Sequence, residues 1–567
     1  MDIEVLVDRE KIRYTAYHIV KAFFPEDKVK VTVKAQSKFI EVHIDTAKHI
    51  YIDNLDVARF ILENNLYNSK ISLNQDEVSL KSQFQEINKS IEENQIINNE
   101  NSLEYNQIID IVKKLDDKSI KYCCDRILYD RLVGFTGKKL PWGILTGVRP
   151  VKLISEIADG KDLVQFFEND YRVSKEKANL ALHIARTEDE VLKKINVREG
   201  YSLYIGIPFC PSICSYCSFG SGDIHAYIDK IDKYIDILLE DLRETIRFAN
   251  ERNKILQTIY IGGGTPTSIN EIQLERLLTG IDNICNKSNL IEYTIEAGRP
   301  DTLNEEKLKI IKTHNINRIS INPQTMNSKT LDLIGRRHTP EDIKDVVILA
   351  RKMGFDNINM DLIMGLPGED IDDVKYTLEQ IKEIGPDNLT VHSLSIKRAS
   401  RMGEEKTAHE NNIKVFNKKE KDNFSSSFAL DKSSIKSFSN SQGEKEETVT
   451  NEISTMLDLA HEKADEMGLH PYYLYRQKNI AGNFENIGYA TPRKEGIYNI
   501  IMMEEVGTIL GVGAKAMTKV VLDKPVKKGN RYTNIIRDEE YKDIDLYINK
   551  HEDIFSRKME MLKKYFI

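Results

Sequence analysis

The sequence contains little cysteine and tryptophan and no long apolar segment. Its 567 residues include six cysteines and one tryptophan, so we do not expect a secreted fold held together by disulfides. No apolar run reaches the length that is needed to span a bilayer. The first residues lack the basic and apolar regions of a secretory signal. These features predict a cytoplasmic protein without a membrane span.

The sequence also lacks an excess of positive charge. Its 81 basic residues are outnumbered by 89 acidic ones, which gives a formal net charge of −8. Because nucleic-acid-binding proteins usually carry a basic patch or a basic net charge, no nucleic-acid partner is expected. Hydrophobic residues make up 40% of the chain and charged residues 30%, as is typical of globular proteins. A chain of this length predicts two or three domains.

Three of the six cysteines lie close together, at Cys210, Cys214 and Cys217. Their spacing is C-x₃-C-x₂-C, and they follow a short apolar strand. A [4Fe–4S] cluster usually has four cysteine ligands, so three thiolates would leave one iron open to a small molecule. A structural zinc site needs a fourth Cys or His, for which His225 is the nearest candidate, and paired C-x₂-C motifs are absent. The spacing therefore favours an iron–sulfur cluster over zinc or simple packing.

Between about residue 200 and residue 397, short apolar strands alternate with longer amphipathic helices such as Tyr227–Arg247 and Ile343–Lys352. This order predicts a parallel sheet that is covered by helices and closed, or partly closed, into an α/β barrel. The predicted strands are Leu203–Ile207, Thr258–Ile261, Glu292–Glu296, Arg318–Asn322, Asn357–Ile363 and Asn388–Leu394.

Polar residues follow the carboxyl ends of these strands, where the active sites of α/β barrels lie. The second strand runs into Gly262-Gly-Gly-Thr-Pro-Thr267. Consecutive glycines let the backbone approach a ligand closely, although a tight turn explains them equally well. Each of the other polar residues could be a cap or turn residue, but together they predict a polar site that faces the cysteine loop. They are Glu296, Asn322, Gln324, Asp361 and His392.

The flanking regions are less regular. The N-terminal residues predict a small α/β unit, with a strand at Asp2–Val7, a helix at Lys11–Phe24, and a hairpin formed by Val29–Ala35 and Phe39–Ile44. Near the other end, a helix at Glu452–Met467 and a strand at Tyr472–Arg476 are expected. The predicted divisions are an N-terminal extension over 1–195 that contains a polar linker at 75–101, a barrel over 196–400, a flexible insertion over 401–452 and a C-terminal domain over 453–567.

These motifs resemble the radical S-adenosylmethionine (SAM) superfamily. Within it, the chain is similar to the coproporphyrinogen III oxidase-like group. The segment Pro141-Trp-Gly-Ile-Leu-Thr-Gly-Val-Arg-Pro150 and the long N-terminal extension resemble the HemZ-type coproporphyrinogen dehydrogenases. The implied fold is α/β, with a partial (β/α)6 radical SAM barrel, an N-terminal α/β extension and a smaller C-terminal domain. The segments that carry the group resemblance are Tyr204–Cys210, Gly262–Thr267, Ile321–Thr325, Gly335–Thr339 and Asp361–Gly368.

The resemblance also implies two cofactors and the residues that hold them. The three clustered cysteines would bind a [4Fe–4S] cluster, and the amino and carboxylate groups of SAM would occupy its fourth iron. The catalytic side chains stay unassigned. The residues expected to contact SAM are Tyr204, Gly263, Gly264, Thr265, Glu296, Gln324, Arg336 and Asp361.

The implied reaction is the oxygen-independent oxidative decarboxylation of coproporphyrinogen III to protoporphyrinogen IX in haem biosynthesis. SAM would supply a 5′-deoxyadenosyl radical, and a protein such as flavodoxin or ferredoxin would supply electrons. Arg299, Arg337 and Lys397 are candidates for binding substrate carboxylates, although solvent exposure is the commoner role for such residues. Phe219 stands where the classical oxygen-independent enzyme has a fourth cysteine. Because related haem chaperones share this feature, haem binding without oxidase activity is the alternative.

Overall fold

The structure is a computed structural model that describes residues 2–25, 27–34, 38–44, 49–64, 110, 112–147, 149–155, 162–218, 220–395, 400–403, 444–476, 484–528 and 531–567. The predicted polar linker and most of the predicted insertion lie outside these residues, as do Phe219 and Lys397. The chain divides into two compact units. The first contains Met1–Leu182 and Arg476–Phe484, and the second contains His183–Tyr475 and Glu485–Ile567. The domain boundaries drawn from the sequence stay predictions.

The first unit combines one small sheet with helices. Its strands are β1 (Asp2–Val7), β2 (Lys28–Val33), β3 (Ile40–His43) and β4 (His49–Ile52). They lie in the order β2–β1–β3–β4, and their apolar side chains share one core with those of the first helices. The helices are α1 (Glu10–Phe23), α2 (Asn54–Glu63), α3 (Asp117–Thr136), α4 (Lys152–Ser155) and α5 (Leu163–Tyr171).

The hairpin predicted for the N-terminal unit is wrong. Strand β1 lies between β2 and β3, pairing in parallel with β2 and antiparallel with β3. The helix α1 connects β1 to β2, and a crossover of this kind brings consecutive strands together in parallel. The side chains of Ile3, Val5 and Val7 are buried, which suits β1 to the central position. The alternation of apolar and polar residues in the predicted strands was visible in the sequence, but the partner with which each strand pairs was not.

The second unit is built on one large sheet. The strands of this unit are β5 (Gly200–Ile207), β6 (Phe209–Cys210), β7 (Gly222–Asp223), β8 (Ile255–Gly263), β9 (Glu292–Glu296), β10 (Arg318–Ser320), β11 (Ile358–Met364), β12 (Asn388–Ser393), β13 (His470–Arg476), β14 (Glu485–Ala490), β15 (Thr508–Val512), β16 (Met517–Lys528) and β17 (Arg531–Glu539). Strands β6 and β7 pair with each other, and the remaining strands form the large sheet. The remaining helices are α6 (Lys175–Leu192), which begins in the first unit and ends in the second, α7 (Ile231–Asn250), α8 (Glu271–Ile284), α9 (Glu305–Thr313), α10 (Ser328–Leu333), α11 (Pro340–Lys352), α12 (Ile371–Ile384), α13 (Glu444–Glu466), α14 (Ile497–Glu504) and α15 (Ile544–Tyr565).

The predicted partial (β/α)6 barrel is confirmed. The sheet has the order β13–β14–β12–β11–β10–β9–β8–β5–β15–β16–β17. Neighbouring strands pair in parallel from β12 through to β15. Strand β5 and strands β8 to β12 are neighbours both along the chain and in the sheet, as right-handed β/α connections require. Their carboxyl ends therefore meet at one edge of the sheet.

Local sequence explains where the barrel helices begin. Asn270, Thr339 and Asp370 each accept a hydrogen bond from a backbone N–H in the first turn of α8, α11 and α12, respectively. The third residue of each helix returns a side-chain hydrogen bond, which completes a capping box. These caps fix the residue at which each of the three helices begins. Among the described helices, none is long and apolar enough to cross a membrane.

The C-terminal residues add strands to the same sheet. Strand β15 pairs with β5 in parallel, and β14 pairs with β12 in antiparallel orientation. Between them, α14 starts at the Glu292 carboxylate, which accepts hydrogen bonds from the backbone N–H groups of Ile497 (2.6 Å) and Tyr498 (3.2 Å). A carboxylate at a helix N-terminus satisfies N–H groups that lack partners within the helix. This contact attaches α14 to the start of β9.

Candidate functional site

The three clustered cysteines lie on the loop that follows β5, at the carboxyl end of the barrel strands. Cys214 is buried, whereas Cys210 and Cys217 are half-buried, and all six cysteines of the chain are free thiols. The Ser215 N–H donates a hydrogen bond to the Ile334 carbonyl (3.0 Å), which ties the loop to the region after β10. Burial raises the pKa of the Cys210 thiol above its ordinary value. A bound metal would have to offset this cost of forming the thiolate.

The glycine-rich loop at the end of β8 is hydrogen-bonded to the residues that lead into the cysteine loop. The Gly264 N–H donates to the Ile207 carbonyl (2.8 Å), and the Thr265 N–H donates to the Phe209 carbonyl (2.7 Å). The Thr265 hydroxyl lies 3.4 Å from the Cys210 sulfur. A contact of Gly263, Gly264 or Thr265 with SAM stays a prediction. What the structure adds is that this loop holds the backbone around the first cysteine.

Replacing Gly264 with alanine is expected to displace the cysteine loop. A Cβ atom at this position would lie 2.6 Å from the Phe209 carbonyl oxygen, closer than van der Waals contact allows. We expect a loss of about 1–3 kcal/mol in unfolding free energy and reduced uptake of iron, because overpacking forces the backbone to shift. Urea denaturation and iron analysis after anaerobic reconstitution measure these effects.

Gly134→Ala is the matched control, because nothing lies within 4 Å of a Cβ atom there. Gly134 lies inside α3, so alanine should stabilise the protein by up to about 1 kcal/mol. Iron uptake by Gly264→Ala equal to that of Gly134→Ala would contradict the supporting role of this loop.

Glu296 occupies the end of β9 beside the glycine-rich loop. Its carboxylate accepts a hydrogen bond from the Tyr260 hydroxyl (2.6 Å) and one from the backbone N–H of Gly263. A Cβ atom at Gly262 would lie 3.0 Å from this carboxylate, so the glycine leaves room for it. Burial raises the pKa of Glu296 to about 7, and the nearby charge of Asp361 acts in the same direction. The group is therefore poised between neutral and ionised forms near neutral pH.

Three stacked tyrosines lie next to Glu296, and one of them, Tyr260, is its hydrogen-bond donor. The ring centroids of Tyr260 and Tyr498 are 4.5 Å apart, and Tyr204 is stacked 6.1 Å from Tyr260. Sequence reasoning selected Tyr204 but missed Tyr260 and Tyr498. Tyr260 could have been found, because it lies on the strand that ends in the glycine-rich loop. Tyr498 comes from α14, and no pattern in its own segment indicates this position.

Gln324 and Asp361 meet at the neighbouring strand ends. The Gln324 N–H donates to the Asp361 carbonyl (2.9 Å), and the φ of Gln324 is +68°, which is uncommon for a residue with a side chain. The Asp361 carboxylate accepts hydrogen bonds from the side-chain amides of Asn322 and Asn359, each at 2.8 Å. Further along, the Tyr475 hydroxyl lies 3.2 Å from the His392 Nδ1 atom. The structure thus brings the predicted polar strand ends together.

Arg336 is buried close to the cysteine loop. One terminal nitrogen donates to the carbonyls of Gly298 (2.8 Å) and Asn322 (2.9 Å), and the other donates to the Tyr216 hydroxyl (3.4 Å). Its Nε atom is buried without a hydrogen-bond partner among the described residues. A contact between Arg336 and SAM stays a prediction. In the structure, the guanidinium connects two strand ends to the cysteine loop.

Lys515 is a neighbour of the cysteine loop that sequence reasoning missed. Its ammonium group donates to the Gly220 carbonyl, and it lies near enough to Cys210 and Cys217 to interact with them electrostatically. The turn that carries it is held by Tyr234, whose hydroxyl accepts from the Ala514 N–H at 2.8 Å. The glycines of Gly511-Val-Gly-Ala-Lys515, directly after an apolar strand, are the signal that could have identified this turn.

The donor set fits an iron–sulfur cluster better than a single ion. Among the described residues, no three His, Cys, Asp or Glu side chains converge closely enough to hold one metal ion. A cluster binds each thiolate through a different iron, so its ligands need not surround one point. Three free thiols lie on one loop, and Arg299 donates a hydrogen bond to the Cys214 sulfur at 3.7 Å. Thiolate-rich sites of this kind select soft metals and iron–sulfur clusters.

The chain is similar to known proteins over both the barrel and a longer stretch of its length. The model of the radical SAM superfamily matches residues 204–381. The oxygen-independent coproporphyrinogen-III oxidase-like protein HemZ of Bacillus subtilis (strain 168) is 35% identical over 463 residues, which cover 81% of this chain and 84% of that protein. The heme chaperone HemW of the same organism is 38% identical over 197 residues, which cover 35% of this chain and 51% of HemW.

A comparison with solved structures gives a partial alignment. The coproporphyrinogen III oxidase HemN from Escherichia coli, described as a radical SAM enzyme, aligns with a TM-score of 0.44 and 19% sequence identity. The alignment covers 65% of this chain and 72% of the HemN chain.

Proposed function

Because the chain belongs to the radical SAM superfamily and, within it, to the oxygen-independent coproporphyrinogen-III oxidase-like family, we propose that it converts coproporphyrinogen III to protoporphyrinogen IX. The observation that carries this proposal is the extent of the similarity to HemZ. That similarity covers 81% of the chain, whereas the similarity to HemW covers only 35%. The HemZ match therefore extends well beyond the barrel that both relatives share.

In the proposed enzyme, Cys210, Cys214 and Cys217 hold a [4Fe–4S] cluster on the loop after β5. When bound there, the cluster and SAM would supply the radical chemistry that oxidative decarboxylation of a propionate side chain needs. The protein binds and orients the cofactors and the substrate, and it excludes water from the site. The glycine-rich loop holds the backbone around the first cysteine, and the stacked tyrosines lie beside Glu296.

Glu296 and Asp361 are the acidic groups proposed to bind the cationic and hydroxyl groups of SAM. Asp361 already accepts hydrogen bonds from two asparagine amides, which hold its carboxylate in one orientation. Glu296 is held by the Tyr260 hydroxyl and by the Gly263 N–H. Fixed acceptors of this kind need little reorganisation when a ligand binds, so they suit a site that must orient a cofactor.

The affinity for SAM is expected to rise with pH, and Glu296→Gln is expected to remove most of this dependence. The pKa of Glu296 is raised to about 7, so the carboxylate that attracts the positively charged cofactor forms only as the pH passes that value. Ionisation of this buried group costs the folded apoprotein stability as the pH rises through 7, and a bound cation offsets that cost. We expect roughly tenfold tighter SAM binding at about pH 8 than at about pH 6.

Equilibrium titration of the reconstituted protein with SAM at several pH values measures this effect. Glu369→Gln is the matched control, because burial also raises the pKa of Glu369 to about 7 and this residue is not among the proposed SAM contacts. An unchanged pH profile in Glu296→Gln would contradict the role of this carboxylate, and so would a profile that flattens equally in both variants.

Haem binding without oxidase activity is the second candidate function. It is favoured by Phe219, which stands where the classical enzyme has a fourth cysteine, and by the 38% identity to HemW across 197 residues. Both functions use the same loop of three cysteines, so cluster binding does not separate them. The two functions differ in whether the bound tetrapyrrole is decarboxylated.

The deciding experiment is anaerobic turnover of coproporphyrinogen III. The full-length chain is reconstituted with iron and sulfide, then incubated with SAM, dithionite and the porphyrinogen. Chromatography of the oxidised products for vinyl-bearing porphyrin, together with released CO₂, measures decarboxylation. Stoichiometric haem binding with no vinyl product, in a preparation that still cleaves SAM, would overturn the oxidase proposal in favour of the chaperone.

A further inference from the structure

Arg299 is buried beside the cysteine loop, in contrast to the exposed role that its sequence context suggested. It follows β9, and only 3% of its surface is accessible to solvent. Its Nε atom donates to Asp301 at 2.9 Å, and one terminal nitrogen donates to the other oxygen of that carboxylate at 2.8 Å. This two-point contact fixes the plane of the guanidinium. The side chain is therefore unavailable for a substrate carboxylate at the surface.

The remaining terminal nitrogen of Arg299 faces the cysteine loop. It donates to the Ser212 hydroxyl at 3.1 Å and lies 3.7 Å from the Cys214 sulfur, within hydrogen-bond range for sulfur. The Ser212 hydroxyl in turn donates to the Gly335 carbonyl at 3.2 Å. Asp301 thus holds one side of the guanidinium, and the other side is directed at the second cysteine of the motif.

The charge around Arg299 suits an anionic partner at the sulfur. Asp301 is the carboxylate paired with Arg299, while Arg336 and His338 also lie near it. Burial and the adjacent Arg336 lower the pKa of His338 to about 4, so this ring is neutral at physiological pH. Two buried guanidinium groups therefore share one nearby carboxylate. A buried cation needs a compensating anion, and the thiolate of Cys214 would provide it.

We propose that Arg299, held by Asp301, is a positioning residue that fixes Cys214 and raises the reduction potential of the cluster. One-electron reduction makes the cluster and its thiolates more negative without moving heavy atoms. A hydrogen-bond donor at a ligand sulfur therefore stabilises the reduced form more than the oxidised form. This inference rests on the proposed function, because it assumes that Cys214 binds a cluster.

The test is a reductive titration of the reconstituted full-length protein. Dithionite supplies the electron, and electron paramagnetic resonance of the reduced cluster reports the midpoint potential. We expect Arg299→Gln to have a more negative potential than the wild type, and Arg299→Lys to lie between them. Lysine keeps the charge but cannot contact Asp301 at two points. Arg243→Gln makes the same charge change on the exposed face of α7, and its potential should equal that of the wild type.

The outcomes separate this inference from the function on which it rests. A wild-type potential in Arg299→Gln with full cluster content would overturn the role of Arg299 and leave the proposed function intact. Arg299→Gln could be folded, as judged by circular dichroism, and yet take up no cluster. In that case the reduction potential of Arg299→Lys is the deciding measurement. A lowered potential in that variant supports the proposal, and an unchanged potential overturns it. A wild-type protein that binds no cluster would overturn the proposed function and this inference with it.

Discussion

Cys214→Ala is expected to abolish the cluster, so the reconstituted variant should lose its visible charge-transfer absorbance and its bound sulfide. Two thiolates would then remain for three irons, and the lost ligand is the most buried of the three. The Arg299 guanidinium would also lose its sulfur acceptor and face an apolar methyl group. Absorbance spectra, with iron and labile sulfide determined on the same anaerobic sample, measure the loss.

Cys285→Ala is the matched control for this substitution. Cys285 is also buried, at the end of α8, and burial raises the pKa of its thiol to about 12. Its removal should leave the spectrum and the iron content unchanged, because an inert thiol contributes packing but no metal ligand. A normal cluster spectrum in Cys214→Ala, or an equal loss in Cys285→Ala, would show that the motif does not bind the cluster as proposed.

Lys558→Met is expected to lower the free energy of unfolding by about 3–5 kcal/mol, because it leaves buried carboxylates without their cation. Lys558 on α15 lies 2.5 Å from the carboxylate of Asp241 and 3.0 Å from that of Glu540, and only about 1% of its side chain is exposed. Its ammonium group also donates to the Gly511 carbonyl at 3.2 Å. Urea denaturation followed by circular dichroism measures the change.

The control for this second substitution is Lys563→Met on the same helix. Lys563 is exposed in the last turn of α15, so its replacement should change stability by no more than about 0.5 kcal/mol. A Lys558→Met variant as stable as Lys563→Met would show that the buried carboxylates are not held by the lysine. Either result bears on the candidate site, because Gly511 lies in β15, directly before the turn that carries Lys515.

Much of the barrel could be predicted because its signals are local. Each of the predicted strands lies within or overlaps one of β5 and β8 to β12, since apolar runs and helix caps are legible in short windows. The N-terminal hairpin failed for the opposite reason. Strand pairing depends on which strand becomes central, and in this unit α1 brings β1 and β2 together in parallel.

The residues of the candidate site also fall into those that the sequence could identify and those that it could not. Strand-end residues such as Glu296 and Asp361 could be selected because parallel strands bring their carboxyl ends to one edge of the sheet. Tyr498 could not, because it lies on α14 and stacks on Tyr204 only in the folded chain. The glycines before Lys515 indicate a turn, but the pairing of β15 with β5, which brings this turn to the cysteine loop, is not encoded in either segment alone. Solvent exposure was the commoner role expected for Arg299, and the structure instead buries this side chain against Ser212 and Cys214 of the cysteine loop.

The sequence by itself determined the family, the order of the barrel and the three thiols that can carry a cluster. Ligand spacing, glycine runs and strand periodicity are properties of neighbouring residues, so they can be identified without knowledge of the fold. Only the tertiary structure decided what surrounds the thiols. The Arg299–Cys214 contact joins residues 85 positions apart, and the Lys515–Gly220 contact joins residues 295 positions apart. Such contacts exist only after the chain has packed, because burial and charge pairing are set by the whole unit and not by any one segment.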